Sequence, residues 1–274
     1  MSFLGAAAPT RPAAVILGVP YDTTSTFRRG SALAPQAIRW VSQSIETYSP
    51  ILRRDLEMLP FADRGDLDVS GLTPEAMVET VRAAVAAAGD SLPVLIGGEH
   101  TLALAGVQAL ADRHADLAVL QLDAHTDLRD TYEGRLVSQA TVMRRIAEVI
   151  PPDRIIALGV RAGTREEFAI AERYHACSSR LAIMSDAWTW LQDRPVYVTV
   201  DIDVVDPSDA PGTGNPEPEG IGAGDLLAFV RRLRDLRVVG LDLVEVSPPY
   251  DPSGRTAILA ATIIREALLA ICGT

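Results

Sequence analysis

Cysteine is scarce. Cys177 and Cys272 are the only two in 274 residues. They form no disulfide framework and no metal-ligand spacing, so both read as small buried hydrophobes. Positive charge is in deficit too. Lys and Arg number 25 against 36 Asp and Glu, a net charge of −11. That balance argues against nucleic acid and anionic membrane as partners and mildly favours a cationic ligand. No apolar run approaches bilayer-spanning length. The N-terminus, interrupted by Pro9 and Pro12, lacks a basic segment followed by a long apolar stretch, and a cytoplasmic protein is expected. Repeats, linkers and low-complexity tracts are absent as well, so residues 1–274 read as a single domain. Apolar side chains are plentiful, at 48% of the chain, too many for disorder and enough for a large core.

Apolar runs that read as strands recur at 14–18, 93–96, 117–122, 154–159, 181–184, 196–202 and 237–244. Helical patterns fall at 34–45, 73–89, 101–113, 136–149, 164–174, 223–234 and 256–271. Thr73 and Pro74 have the order of an N-cap and a first helical residue. Thr164 and Glu167 have capping-box spacing. Strands that alternate with helices predict an α/β fold, with a mostly parallel sheet and helices on both faces.

Three of the strands end in the same chemistry. Leu117-Ala118-Val119-Leu120 leads to Asp123-Ala124-His125-Thr126-Asp127. Val198-Thr199-Val200 runs into Asp201-Ile202-Asp203, and Val94-Leu95-Ile96 into Gly97-Gly98-Glu99-His100. Residues at i, i+2 and i+4 of an extended segment point the same way. Carboxylates brought that close repel unless a cation lies between them. Taken singly, each motif has a plainer reading: Asp-x-Asp as a turn or cap, Gly97-Gly98 as a tight turn, His100 as a satisfied histidine near a helix start. Their joint occurrence at strand ends, where open parallel sheets bind ligands, favours metal. His100, Asp123, His125, Asp127, Asp201 and Asp203 are too many ligands for one zinc and suit a metal pair sharing carboxylates. Two loops flank this region. Asp206–Gly220 is rich in proline and glycine and reads as a rigid wall of the site rather than a surface connection. Asp22–Gly30, with Phe27, Arg28 and Arg29, reads equally as an overhang or a solvated loop.

In order along the chain, these segments resemble the ureohydrolase family of arginases, agmatinases and formiminoglutamases. The likeness begins at Gly18-Val19-Pro20-Tyr21-Asp22, Arg29-Gly30, Pro35-x-x-Ile38-Arg39 and Gly65-Asp66. It continues through the three strand-end motifs, Gly159-Val160-Arg161, Ala210-Pro211-Gly212-Thr213-Gly214 and Val244-Glu245-Val246. Asp127-Leu128-Arg129-Asp130 and Thr141-Val142-Met143-Arg144-Arg145 are similar to short prokaryotic agmatinase-like proteins. No arginase-type loop for the amino-acid end of arginine follows Asp127.

The resemblance implies a three-layer α/β/α fold with a sheet of about eight strands, a homo-oligomer (trimer or hexamer) and two Mn²⁺ ions. His100, Asp123, Asp127 and Asp201 would hold one ion. His125, Asp123, Asp201 and Asp203 would hold the other, so Asp123 and Asp201 bridge. Carboxylate with some imidazole suits Mn²⁺ and admits Fe, Ni, Co and Zn. The implied reaction cleaves a guanidino C–N bond to urea and an amine, with agmatine or an agmatine-like polyamine precursor as the expected small cationic substrate. A water activated by the metal pair attacks the guanidinium carbon. Asp127 passes the proton to the leaving amine. Glu245 orients the guanidinium through paired, charge-assisted hydrogen bonds, and Asn215 and Gln139 are expected to face the substrate. One departure stands out. Gln139 occupies a position where active relatives carry a proton-shuttling histidine, and glutamine does not titrate near neutrality. This leaves two alternatives: a metal-binding homologue with weak or no activity, or a formimino or amide hydrolase on the same fold. Glu99 stands where the family more often has aspartate, and is expected to support the His100 loop from behind the ligands. His114 and His175 offer no obvious substitute shuttle.

Overall fold

The computed structural model describes residues 1–181 and 185–273. In chain order the strands are β1 (Ala14–Val19), β2 (Tyr48–Ser49), β3 (Arg54–Asp55), β4 (Phe61–Asp66), β5 (Leu92–Gly97), β6 (Ala118–Leu122), β7 (Ile155–Leu158), β8 (Ala176–Ser178), β9 (Pro195–Asp201) and β10 (Arg237–Val244). The helices are α1 (Ala34–Ser42), α2 (Pro74–Ala86), α3 (Ala103–Ala111), α4 (Val142–Val149), α5 (Arg165–Ala171), α6 (Ser185–Gln192), α7 (Ala223–Arg232) and α8 (Arg255–Cys272). β2 and β3 make a small antiparallel pair. The other eight strands form one sheet in the order β4-β1-β5-β10-β9-β6-β7-β8, and every neighbouring pair in it is parallel.

Both faces of the sheet are buried, so its strands read as continuous apolar runs. β1 shows the split. Ala14 and Ile16 pack with α1, α7 and α8 on one side, whereas Val15, Leu17 and Val19 pack with α2, α3 and α4 on the other. The result is the expected three layers. α2 illustrates how sequence fixes an element: Thr73 Oγ1 accepts from Ala76 N at 3.3 Å, Pro74 opens the helix, and Met77, Val78, Val81 and Val85 form its buried stripe. Full burial of a side chain such as Met77 stabilises the fold by roughly 1.5–3 kcal/mol. α5 carries the expected capping box between Thr164 and Glu167.

Several elements differ from those expected from the sequence. β4 and β8 are edge strands without apolar runs. In β4, Asp63 is held by the buried Arg39, with Nε to Oδ2 at 2.8 Å, an ion pair that takes the place of an apolar face. α6 was not expected because its sequence, Ser-Asp-Ala-Trp-Thr-Trp-Leu-Gln, has no clear apolar period. The strand expected at 181–184 is not found at Leu181, which lies in a bend, and its remaining residues fall outside those described. The helix expected at 136–149 begins only at Val142, after a short 3-10 turn at Gln139–Thr141. No helix among the described residues is long and apolar enough to cross a membrane.

Candidate metal centre

The middle of the sheet positions the centre. β5, β10, β9 and β6 are consecutive neighbours, and each ends in residues of the candidate site. Asp123 follows β6, and its Oδ1 accepts from His125 N at 2.6 Å, which folds the loop back over the strand end. Asp127 has a left-handed backbone, φ 51°. Its carbonyl accepts from Met143 N and Arg144 N at 3.1 and 3.2 Å, so the start of α4 anchors the turn. Asp201 closes β9. Its Oδ1 accepts from Asp203 N at 2.9 Å, and Asp203 Oδ1 accepts from Ala124 N at 3.0 Å, tying the β9 loop to the β6 loop. Gly98 is more than a tight turn: a Cβ there would collide with the Tyr21 carbonyl. Glu245, also left-handed at φ 64°, follows β10, and its Oε1 accepts from His100 N at 2.8 Å.

Two ligand-competent clusters result. His100, Asp123 and Asp127 form one, and Asp123, His125 and Asp203 the other, so Asp123 belongs to both. His100 Nδ1 lies 3.0 Å from Asp127 Oδ2 and 3.2 Å from Asp123 Oδ2. His125 Nδ1 lies 2.8 Å from Asp203 Oδ2. Asp201 is buried beside them with its Oδ2 3.7 Å from His100 Nδ1, close to the first cluster but in neither three-residue group. Five of the six sequence-predicted ligands thus converge within the clusters, and the sixth stands against them.

The electrostatics are those of a site short of positive charge. Burial disfavours charge on His100, but Asp123 and Asp127 overcome it and hold the imidazolium well above its ordinary range. Burial likewise opposes His125, yet the carboxylate of Asp203 leads in pushing it up to about 10. Burial and then the charge of Asp123 raise Asp127 to about 6. Burial, Asp203 and Asp123 drive Asp201 well above the carboxylate range. Asp203 moves the other way: burial opposes, but the His125 imidazolium holds it low. Burial, then the charge of Glu99, raises Glu245 well above its ordinary value. Imidazole and carboxylate donors competing for so few protons form a set that fits divalent cations, which bind by displacing those protons.

A cavity of about 310 Å³ opens above the centre, its lining including Thr26, Arg129, Gln139, Asn215, Glu217 and Glu245. Asn215 and Glu217 belong to the 206–220 loop, which is therefore a wall. Thr26 brings the 22–30 loop in as a second wall, while Phe27 points out, 69% exposed. Glu99 pins that loop: its oxygens accept from Thr24 N and Thr24 Oγ1 at 2.6 Å, and from Thr101 Oγ1 at 2.7 Å. Thr24 Oγ1 in turn accepts from Gln139 N at 3.1 Å. Gln139 Nε2 donates to Thr26 Oγ1 at 3.1 Å, and Gln139 Oε1 is buried without a hydrogen-bond partner among the described residues.

Comparison with known proteins places the whole arrangement. A family model described as Arginase family matches residues 12–270. The chain belongs to the arginase family. It is 40% identical over 267 residues to an agmatinase of Bacillus subtilis (strain 168), covering 93% of this chain and 91% of the relative. Among solved structures, the agmatine ureohydrolase of Thermoplasma volcanium superposes with a TM-score of 0.89 at 32% identity, covering 98% of this chain and 94% of the other. Proclavaminate amidino hydrolase from Streptomyces clavuligerus gives 0.85 at 31% identity over 99% and 96%. The ureohydrolase likeness read from the motifs therefore holds.

Within this arginase-family site, sequence reading missed the hydroxyl and carboxyl groups behind the ligands. Thr24 and Thr26 sit in a loop with no legible motif. Thr199 was readable in principle, two residues before Asp201 on the same strand face. Asp242 was too, as the one acid inside the apolar run of β10. His114 and His175 lie away from the centre, the latter stacked on Trp190 with ring centroids 4.1 Å apart.

Proposed function

We propose that this protein is a binuclear-metal ureohydrolase that cleaves agmatine to urea and a diamine in the cytoplasm, as a step of polyamine biosynthesis. The observation that carries the reading is Asp123, shared by two ligand clusters, with Glu245 buried beside them. His100, Asp123, Asp127 and Asp201 would hold one Mn²⁺, and His125, Asp123, Asp201 and Asp203 the other. Bound there, the metal pair supplies a water molecule acidic enough to act as nucleophile at neutral pH.

The chain's own groups do the rest. Glu245 offers a carboxylate to the guanidinium, pairing charge and aiming the target carbon at the centre. Its raised pKa means that cation binding is accompanied by loss of its proton. Asp127, beside Asp123 and His100 at the cavity floor, is placed to take a proton from the nucleophile and return it to the leaving amine. Gln139 and Asn215 line the cavity as neutral side chains for substrate N–H groups.

The test is urea release from agmatine, aminopropylagmatine, arginine, guanidinobutyrate and guanidine with Mn²⁺ supplied. Agmatine is expected to be the best substrate. Two bound metals with no urea from any of the five overturns the reading. Gln139 favours a second reading, a homologue of low activity. Gln139→His separates the two: a rise in turnover of roughly tenfold or more marks an enzyme with a weakened proton path, and no rise from an inactive protein marks a silent one. The same reading makes the molecule a single-domain homo-oligomer, trimer or hexamer, which light scattering checks.

A further inference from the structure

Beneath the centre a polar path runs through the core. Tyr197 and Thr199 on β9 and Asp242 on β10 are all at most 1% exposed. Thr199 and Asp242 are register partners. Thr199 Oγ1 donates to Asp242 Oδ1 at 2.6 Å, and Tyr197 OH donates to Asp242 Oδ2 at 2.6 Å. His100 Nε2 lies 2.8 Å from Thr199 Oγ1. A hydroxyl has one hydrogen. With that hydrogen on Asp242, Thr199 can only accept from His100. Nε2 therefore carries a proton in either charge state of the ring, and Nδ1, facing Asp123 and Asp127, is the nitrogen on which a cation can take the proton's place.

The surrounding sequence makes room for this path. A Cβ on Gly106 would collide with the Tyr197 hydroxyl, and one on Gly240 with the Tyr197 ring. Gly106 sits inside α3 and Gly240 inside β10, places where glycine weakens an element by roughly 0.5–1 kcal/mol relative to alanine. His125 has no comparable support. Among the described residues its Nε2 has Glu217 as its charged neighbour, at 3.7 Å and on the rim.

We infer that Thr199 and Asp242 are positioning residues that lock His100 as the Nε2–H tautomer and aim Nδ1 at the cation on that side. The inference rests on the two-metal reading above. Calorimetric Mn²⁺ titration of the full chain tests it with Thr199→Val, which keeps the shape and removes the hydroxyl, and Thr199→Ser, which restores it. One of the two metal equivalents is expected to weaken about 10–100-fold in Thr199→Val, the other by less than about threefold, with Thr199→Ser close to the parent. Equal weakening of both equivalents, no weakening, or a serine variant as impaired as valine overturns the inference. A parent protein that binds no metal overturns the two-metal reading itself. Nitrogen-15 NMR of the Zn²⁺-loaded parent gives a variant-free check: a His100 protonated at Nε2 supports the inference, and one protonated at Nδ1 overturns it.

Discussion

The two histidines of the centre have opposite surroundings. The His100 side chain is 1% exposed and that of His125 is 23% exposed. His100 is fixed on both ring nitrogens and through its backbone N–H, by Thr199, the carboxylates and Glu245. His125 is held through its backbone N–H by Asp123 and on one ring nitrogen by Asp203, with Nε2 turned to the rim. One half of the centre is thus part of the core, and the other half is part of the cavity rim. Packing ties the first half to fold stability, whereas the second is tied to it chiefly by the His125–Asp203 ion pair.

Removing the group common to both halves should have the largest effect. Asp123→Ala is expected to lose both metals and to lower urea release by roughly 10³-fold or more, read by metal analysis beside a urea assay. The halves should then diverge in stability. His100→Ala leaves a buried cavity and strips Thr199 of a donor, and is expected to destabilise the metal-free protein by about 2–4 kcal/mol. His125→Ala leaves the smaller cavity, and its cost, set mainly by the lost ion pair with Asp203, should fade as pH rises toward 10 while that of His100→Ala persists. Urea unfolding of the two variants at pH 7 and pH 10 measures the gap, and equal losses at both would mean that the two histidines support the fold alike.

pH offers a third probe. His125 in the fold titrates near 10, above its unfolded value near 6.5. The native state therefore holds this proton more tightly. Its contribution is fully present below about pH 6.5 and is lost as pH rises toward 10. The melting temperature of metal-free protein is expected to fall over that window, and less so in His125→Asn. Metal binding runs the opposite way, with apparent affinity on the His125 side rising as pH rises and protons released on titration. The smallest effect belongs to the rim. Glu217→Gln, whose parent side chain is 39% exposed, is expected to change KM for agmatine by no more than about threefold, measured by initial rates.

Much of this was legible in the sequence, for a physical reason. Asp123, His125, Asp127, Asp201 and Asp203 lie within short segments at strand ends, where the alternation of an extended chain decides which way side chains face. The central strands β5, β6, β9 and β10 announced themselves because burial on both faces demands unbroken apolar runs. What stayed hidden depends on pairing across the sheet. Asp242 meets Thr199 only because β10 lies beside β9, and no spacing within either segment encodes that neighbour. Thr24 reaches Glu99 across 75 positions of chain. β4 escaped notice for a related reason: the partner that compensates its buried Asp63 is Arg39, on a helix far earlier in the chain.

Asp127 and Glu245 both keep a left-handed backbone, which costs an L-residue about 1–2 kcal/mol. Glycine would relax the chain at either position and erase the carboxylate with it. A library screened for heat resistance alone should therefore accumulate glycine at 127 and 245, and its most durable members should be inert toward any guanidino compound.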